Sequence, residues 1–227
     1  MKTLFDYFGF CVPPDEQIIG YPVAGSDNNT QRGHRAYNFV WYRPAEGEAL
    51  QTLLTDADGV HYPQGIPPNK VCWQEVAKVR EAARRLLAPQ FAEILEKTPQ
   101  PFLQPIFDVA SDVVTKGRVA LMGDAAFVAR PHIGMGVAKA AQDAVAIADA
   151  IRTHGANQEA LQAYAQQRLS AGRTAVRRAQ WLGSFVKSPD GSTQPMAQRE
   201  HHALFETAID LERYGHQSAF QESNSPL

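Results

Sequence analysis

Residues 117–151 constrain the fold more than any other stretch. A short apolar run, Arg118-Val-Ala-Leu-Met-Gly-Asp124, ends in Gly-Asp, and an Ala/Pro/Gly loop then leads into a helix of small residues. The run does not alternate polar with apolar residues, which is the pattern of a strand buried on both faces of a parallel sheet. Asp124 then falls at the carboxyl end of that strand, where open α/β sheets bind ligands. A carboxylate there suits a sugar hydroxyl, and Gly123 lets backbone approach the ligand closely. Gly134 and Gly136 flank the start of a helix expected over 136–151. The amides of Gly134, Gly136, Val137 and Ala138 lie at its positive end, which stabilises negative charge. Ala138, Ala141, Ala144 and Ala148 are small enough for close packing on a sheet or a cofactor. Gly-Asp alone has a plainer reading, an ordinary strand–turn–helix crossover with Asp124 as its cap.

The first hundred or so residues are β-prone. Runs at 4–12, 17–23 and 35–43 are separated by Pro13-Pro14 and by a Gly/Asn/Asp turn, as in an antiparallel meander. Pro22 suggests an edge position or a bulge. Helical spacing appears at 46–56 and again at 73–96, interrupted at Pro89, with Val76, Val79, Ala83, Leu86 and Leu87 on one stripe. The Pro-rich segment 99–108 reads as an extended crossing. A second helix is expected over 158–185, and a short one at 197–213. The fold class is therefore α/β (α+β). Its parts are a β-rich domain with helices over 1–108, an α/β segment over 109–186 and a polar tail with a short helix over 187–227.

Composition narrows the function classes. With 22 Lys and Arg against 24 Asp and Glu the formal charge is −2, so nothing draws the chain in bulk to nucleic acid or anionic lipid. No apolar run approaches the roughly 18 residues that span a bilayer, and the N-terminus does not read as a signal peptide. Two cysteines, Cys11 and Cys72, make no disulfide framework, which fits a reducing cytoplasm.

The run GRVALMGDAAFVARPHIGMGVAKAAQDAVAIADAI resembles the second FAD motif of the single-component flavin-dependent aromatic hydroxylases, the family of the para-hydroxybenzoate and phenol hydroxylases. RAYNFVWYRP, TPQPFLQPIFD and GDAAFVARPH look closest to the branch acting on hydroxylated pyridines. The resemblance implies a FAD-dependent monooxygenase that uses NADH or NADPH and O₂. It would hydroxylate an electron-rich aromatic or heteroaromatic ring through a flavin C4a-hydroperoxide. Carried over by position, Asp124 would bond a hydroxyl of the ribityl chain and Gly123 would permit that approach. Pro131 would lie near the flavin edge, and the amides around Gly136, Val137 and Ala138 would stabilise charge at N1. His132 and Lys139 depart from the family's commoner small and amide residues. A G-x-G-x-x-G after an N-terminal strand is not found, nor is the family's Asp-Gly motif in its expected surroundings, since Asp58-Gly59 follows a helix. The expectation is thus an antiparallel substrate-domain sheet plus the C-terminal part of a FAD-binding domain, with the N-terminal dinucleotide-binding unit missing. A non-catalytic fragment that needs a separate N-terminal partner is the alternative, and a homodimer is compatible with the family.

The remaining candidates divide between chemistry and packing. His132, beside Pro131, is a catalytic candidate: it would hydrogen-bond a substrate hydroxyl and help it lose a proton. Tyr21, Tyr37, Asn38 and Trp41 are candidates for a planar aromatic substrate, with Tyr37 and Trp41 on one strand face and Asn38 on the other. A sheet core explains them equally simply. Arg130 would attract an anionic substrate or sit solvated in a loop. Arg168, Arg173, Arg177 and Arg178 read as a solvated helix face or a domain contact. His201-His202 lacks a third ligand at metal spacing, so no metal is expected.

Overall fold

The computed structural model describes residues 4–186 and 195–207, and the chain divides into two compact units, Met1–Pro105 and Ile106–Leu227. The first contains a three-stranded antiparallel sheet in the order β1 (Gly9–Cys11), β2 (Gln17–Val23), β3 (Ala36–Tyr42). The meander forms as its β-prone runs and polar turns dictate, except that Leu4–Asp6 is a 3-10 turn. β2 is the central strand, yet β1 extends only as far as Gly20, so one side of β2 is open at Pro22. That gap is how a central strand tolerates a residue without an N–H.

Helices α1 (Gly47–Leu53), α2 (Trp73–Leu86) and α3 (Pro89–Lys97) complete this unit. Pro89 does not merely interrupt a long helix. It occupies the first turn of α3, where its missing N–H loses no bond. Ala83, Leu87, Phe91, Ile94 and Leu95 bury one face of the α2–α3 pair against Ile18, and Tyr37, Phe39 and Trp41 pack on the same cluster. Gly20 is required here, because an added Cβ would overlap the Tyr37 ring.

In the second unit, residues 118–124 correct the expectation of a buried parallel strand. Only Val119–Ala120 (β6) is extended, and it pairs antiparallel with Thr115–Lys116 (β5) in a two-stranded hairpin. Val119 is 63% exposed. An apolar run specifies burial only where a neighbouring strand exists, and among the described residues no parallel strand lies beside it. A second small ladder joins β4 (Val109–Ala110) to β7 (Phe127–Val128).

Two helices dominate this unit, α4 (Gly136–His154) and α5 (Gln158–Ser184). Gly155, at φ +83°, ends the first, and the Asn157 side chain accepts from the Ala160 N–H to cap the second. They pack through Ala146, Ala150, Ala160 and Tyr164 around the buried Phe127 ring. The buried stripe of α4 is Lys139, Asp143, Ala146 and Ala150. The stripe expected from the alanines, 138, 141, 144 and 148, is exposed. Alanine is small on every face, so it does not say which face is covered. A short helix, α6 (Met196–Phe205), occupies part of the expected 197–213 segment, and residues 208–213 lie outside those described. No described helix is long and apolar enough to cross a membrane.

Candidate functional site

The Gly-Asp segment is a 3-10 turn, Gly123–Ala125, set against the first turns of α4. Gly123 is buried at φ +58°, and a Cβ there would come within 3.4 Å of Ala140. Its N–H donates to Asp143 Oδ2 at 2.8 Å, while Asp143 Oδ1 accepts from Arg168 Nε at 2.6 Å. Asp143 and Arg168 are both almost wholly buried. Tyr164 Oη donates to the Leu121 carbonyl at 2.7 Å, a second tie from α5 to the chain entering the turn. Burial, with the Asp143 charge nearby, pushes the Tyr164 phenol up to about 12.

This network leaves the neighbouring Asp124 carboxylate 78% exposed. Its ion-pair partner is Lys139 on the first turns of α4, with Nζ 3.7 Å from Oδ1. At the helix start, Gly134 is left-handed at φ +67°, and an added Cβ on Gly136 would meet nothing within 4 Å. Val137 is 88% exposed and Ala138 is exposed beside it. Pro131 opens a 3-10 turn, Pro131–Ile133, and is itself exposed. The residues chosen at 123, 124, 131, 134, 136, 137 and 138 therefore lie on the Gly-Asp turn, on the loop to α4 and at the α4 start.

Sequence reasoning missed Asp143. The signal was an acidic residue inside an alanine-rich helix seven residues after Gly136, with an arginine on the following helix. It also misplaced the arginines. Arg168 and Arg178 are buried and not solvated, because each has a carboxylate partner: Asp143 for Arg168 and Glu206 for Arg178. Arg178 also stacks on Trp181, 4.4 Å from the ring centroid. Arg173 and Arg177 keep to the exposed side. Arg130 is a latch. Its backbone N–H donates to Asp108 Oδ1 at 3.1 Å and its Nη2 to Oδ2 at 2.6 Å, fixing Asp108 to the loop before α4. Burial works to raise the Asp108 carboxyl, but Arg130 and Gln180 hold it below the usual carboxylate range.

His132 is packed inward, with its ring near Gly183 of α5 and beside Arg130. Burial, and then the Arg130 charge, lower its pKa from 6.5 to about 4. The ring is neutral near pH 7 and a weak base there, which favours a packing role. The linkage has a definite sign. The unfolded chain takes up a proton on this histidine as pH falls through about 6.5, and the folded chain resists until about 4. Stability is complete above pH 6.5 and falls by about 1–3 kcal/mol between 6.5 and 4. Urea titrations at pH 7.5 and 4.5 check this, with His132→Gln expected to show a smaller drop. His202 keeps its own contribution, since its burial lowers it in the same direction. It stacks on Phe185, and no group of three or more potential metal ligands occurs among the described residues.

In the first unit, Tyr37 and Trp41 belong to the α2–α3 cluster, whereas Tyr21 and Asn38 are cross-strand partners on the opposite face of the sheet. Phe8 stacks on Tyr21 with centroids 5.0 Å apart and planes at 10°. The four chosen residues are thus split, two facing the helices and two facing away.

A helix start and an exposed carboxylate beside it are features that α/β proteins use to hold nucleotide cofactors. The FAD binding domain family matches residues 67–179 and the FAD binding domain-like family matches residues 1–108. Together the two matches run over residues 1–179. It is 29% identical over 191 residues to the 2,6-dihydroxypyridine 3-monooxygenase of Paenarthrobacter nicotinovorans, covering 84% of this chain and 47% of that protein. The solved structure of 2,6-dihydroxypyridine-3-hydroxylase from Arthrobacter nicotinovorans superposes with a TM-score of 0.72 at 28% identity, covering 86% of this chain and 48% of that one. Klebsiella pneumoniae HpxO, solved with FAD and uric acid, shares the fold with a TM-score of 0.59 at 21% identity, over 92% of this chain and 46% of its own. The chain spans about half the length of these proteins.

Proposed function

We propose that this chain carries part of the FAD site, and the substrate sheet, of a monooxygenase that hydroxylates an electron-rich aromatic or heteroaromatic ring. The observation that carries the reading is Asp124, an exposed carboxylate on a turn that Asp143 anchors against the first turns of α4. The names of the relatives support it: a dihydroxypyridine monooxygenase and a FAD-dependent monooxygenase from Nectria sp. FAD, when bound, would supply the oxygen-activating chemistry, with NADH or NADPH as reductant and O₂ as co-substrate.

The chain's own residues have narrower tasks. Asp124 would accept from a ribityl hydroxyl, and Gly123 would keep the backbone clear. Gly136, Val137 and Ala138 would present helix-end amides to the pyrimidine edge, while Gly134, whose own N–H donates to the Pro131 carbonyl at 2.9 Å, shapes the turn into α4. Tyr21, stacked on Phe8, and Asn38 would offer an aromatic ring and an amide to a planar ring on the face of the sheet away from α2 and α3, while Tyr37 and Trp41 brace that sheet from behind. His132 is assigned no proton-transfer step, because its ring is packed inward.

The test is the visible spectrum of the purified chain after mixing with FAD and desalting. Retained flavin absorbance is expected, and Asp124→Ala should weaken FAD binding by about 10- to 100-fold, the loss of a charge-assisted hydrogen bond. A chain that retains no flavin, or an Asp124→Ala variant that binds as the parent does, would remove the basis of the site. Product analysis with NADH or NADPH, O₂ and hydroxylated pyridines or benzoates then reads the substrate class. Flavin binding without turnover would favour the fragment that needs a separate N-terminal partner.

A further inference from the structure

Lys139 is the one feature of this site without an assigned task. It stands on the first turns of α4, is only 3% exposed, and its Nζ has no hydrogen-bond partner among the described residues. Among the described residues the carboxylate in ion-pair range is Asp124, at 3.7 Å, too long for a hydrogen bond. A buried ammonium without hydrogen bonds is costly to keep, and an apolar side chain of similar length would be easier to bury. Side chains on a helix lean toward its N-terminus, so a residue on the first turns of α4 leans toward the helix start. Asp124, its salt-bridge partner, is itself 78% exposed.

We infer that Lys139 is an anion-binding residue of the FAD site, its ammonium completing the helix-end amides against a negatively charged part of the dinucleotide. That part is either the pyrophosphate or the ionised pyrimidine edge of the reduced flavin, which share the chemistry of a delocalised oxyanion. The inference rests on the FAD reading proposed above. Lys139 is a binding and positioning residue, and its free amine is the unmet half of the contact.

The experiment compares the wild-type chain with Lys139→Met and Lys139→Arg, by melting temperature without flavin and by flavin binding. Met keeps the length of the stem and removes the charge. Without flavin, Lys139→Met should melt higher than wild type, because an ammonium lacking hydrogen bonds has gone from the interior. Its affinity for FAD should fall by about 10- to 100-fold, and Lys139→Arg should recover most of it. Riboflavin and dithionite-reduced FAD separate the two sources. A loss confined to FAD assigns the amine to the pyrophosphate. A loss shared by riboflavin and larger in the reduced state assigns it to the pyrimidine edge. If Lys139→Met melts lower or does not fold, Lys139 is a structural partner of Asp124 and the inference is overturned. If wild type binds FAD and Lys139→Met binds it equally well, the inference alone fails. If wild type binds neither FAD nor riboflavin, the FAD reading itself has failed.

Discussion

Asp143→Ala is expected to destabilise the second unit by about 3–5 kcal/mol, the range found when one partner of a buried ion pair is removed. Its carboxylate serves two donors at once, the Gly123 N–H and Arg168 Nε, in a place closed to water. Truncation leaves a guanidinium buried without its carboxylate and a backbone N–H without an acceptor. For a domain whose whole stability is about 5–15 kcal/mol, that approaches loss of the fold. Asp143→Asn should lose less, since it still offers an oxygen to one donor. Pairing Asp143→Ala with Arg168→Met should recover much of the loss, because the stranded charge goes with its partner. Urea unfolding followed by circular dichroism measures all three variants. If Asp143→Ala lies within about 1 kcal/mol of the parent, the pair does not hold this unit together. A second effect follows from the geometry. Asp124 projects from the turn that Asp143 anchors, so the variant should also lose FAD binding under conditions where it remains folded.

Phe127→Ala should cost about 3–5 kcal/mol, the usual range for emptying a buried aromatic site. The ring is 1% exposed and lies in a notch that α5 leaves at Gly172. An added Cβ at Gly172 would overlap three of its carbons. Gly172→Ala alone should therefore cost about 1–3 kcal/mol by overpacking, although alanine is the better helix former. The double variant distinguishes packing from propensity. With the ring gone, the new methyl enters vacated space, so Gly172→Ala should become neutral or stabilising. Additive losses in the double-mutant cycle would mean that the two residues do not share the notch.

Much of the architecture could be read along the chain, since it depends on neighbours in sequence. The meander, the break at Pro89, the end of α4 at Gly155 and the cap at Asn157 are local chemistry, and they stand where the residues put them. The Gly-Asp turn and the start of α4 at Gly136 were legible for the same reason. The strand at 118–124 was not, because a buried strand is defined by what lies beside it. The alanines of α4 misled because a methyl group fits a buried or an exposed face equally well.

What the sequence by itself determined is the set of local elements, and with them which residues stand on the turn and at the helix start. Only the tertiary structure decided how charges are partnered. It buried Arg168 against Asp143 and Arg178 against Glu206, closed Arg130 onto Asp108, and left Lys139 inside without a hydrogen bond beside an Asp124 that faces solvent. The partners lie tens of residues apart along the chain in most of these pairs. Spacing rules reach only one helical turn or one strand pair, whereas the energy of a buried charge depends on whatever the whole fold brings within a few ångströms of it.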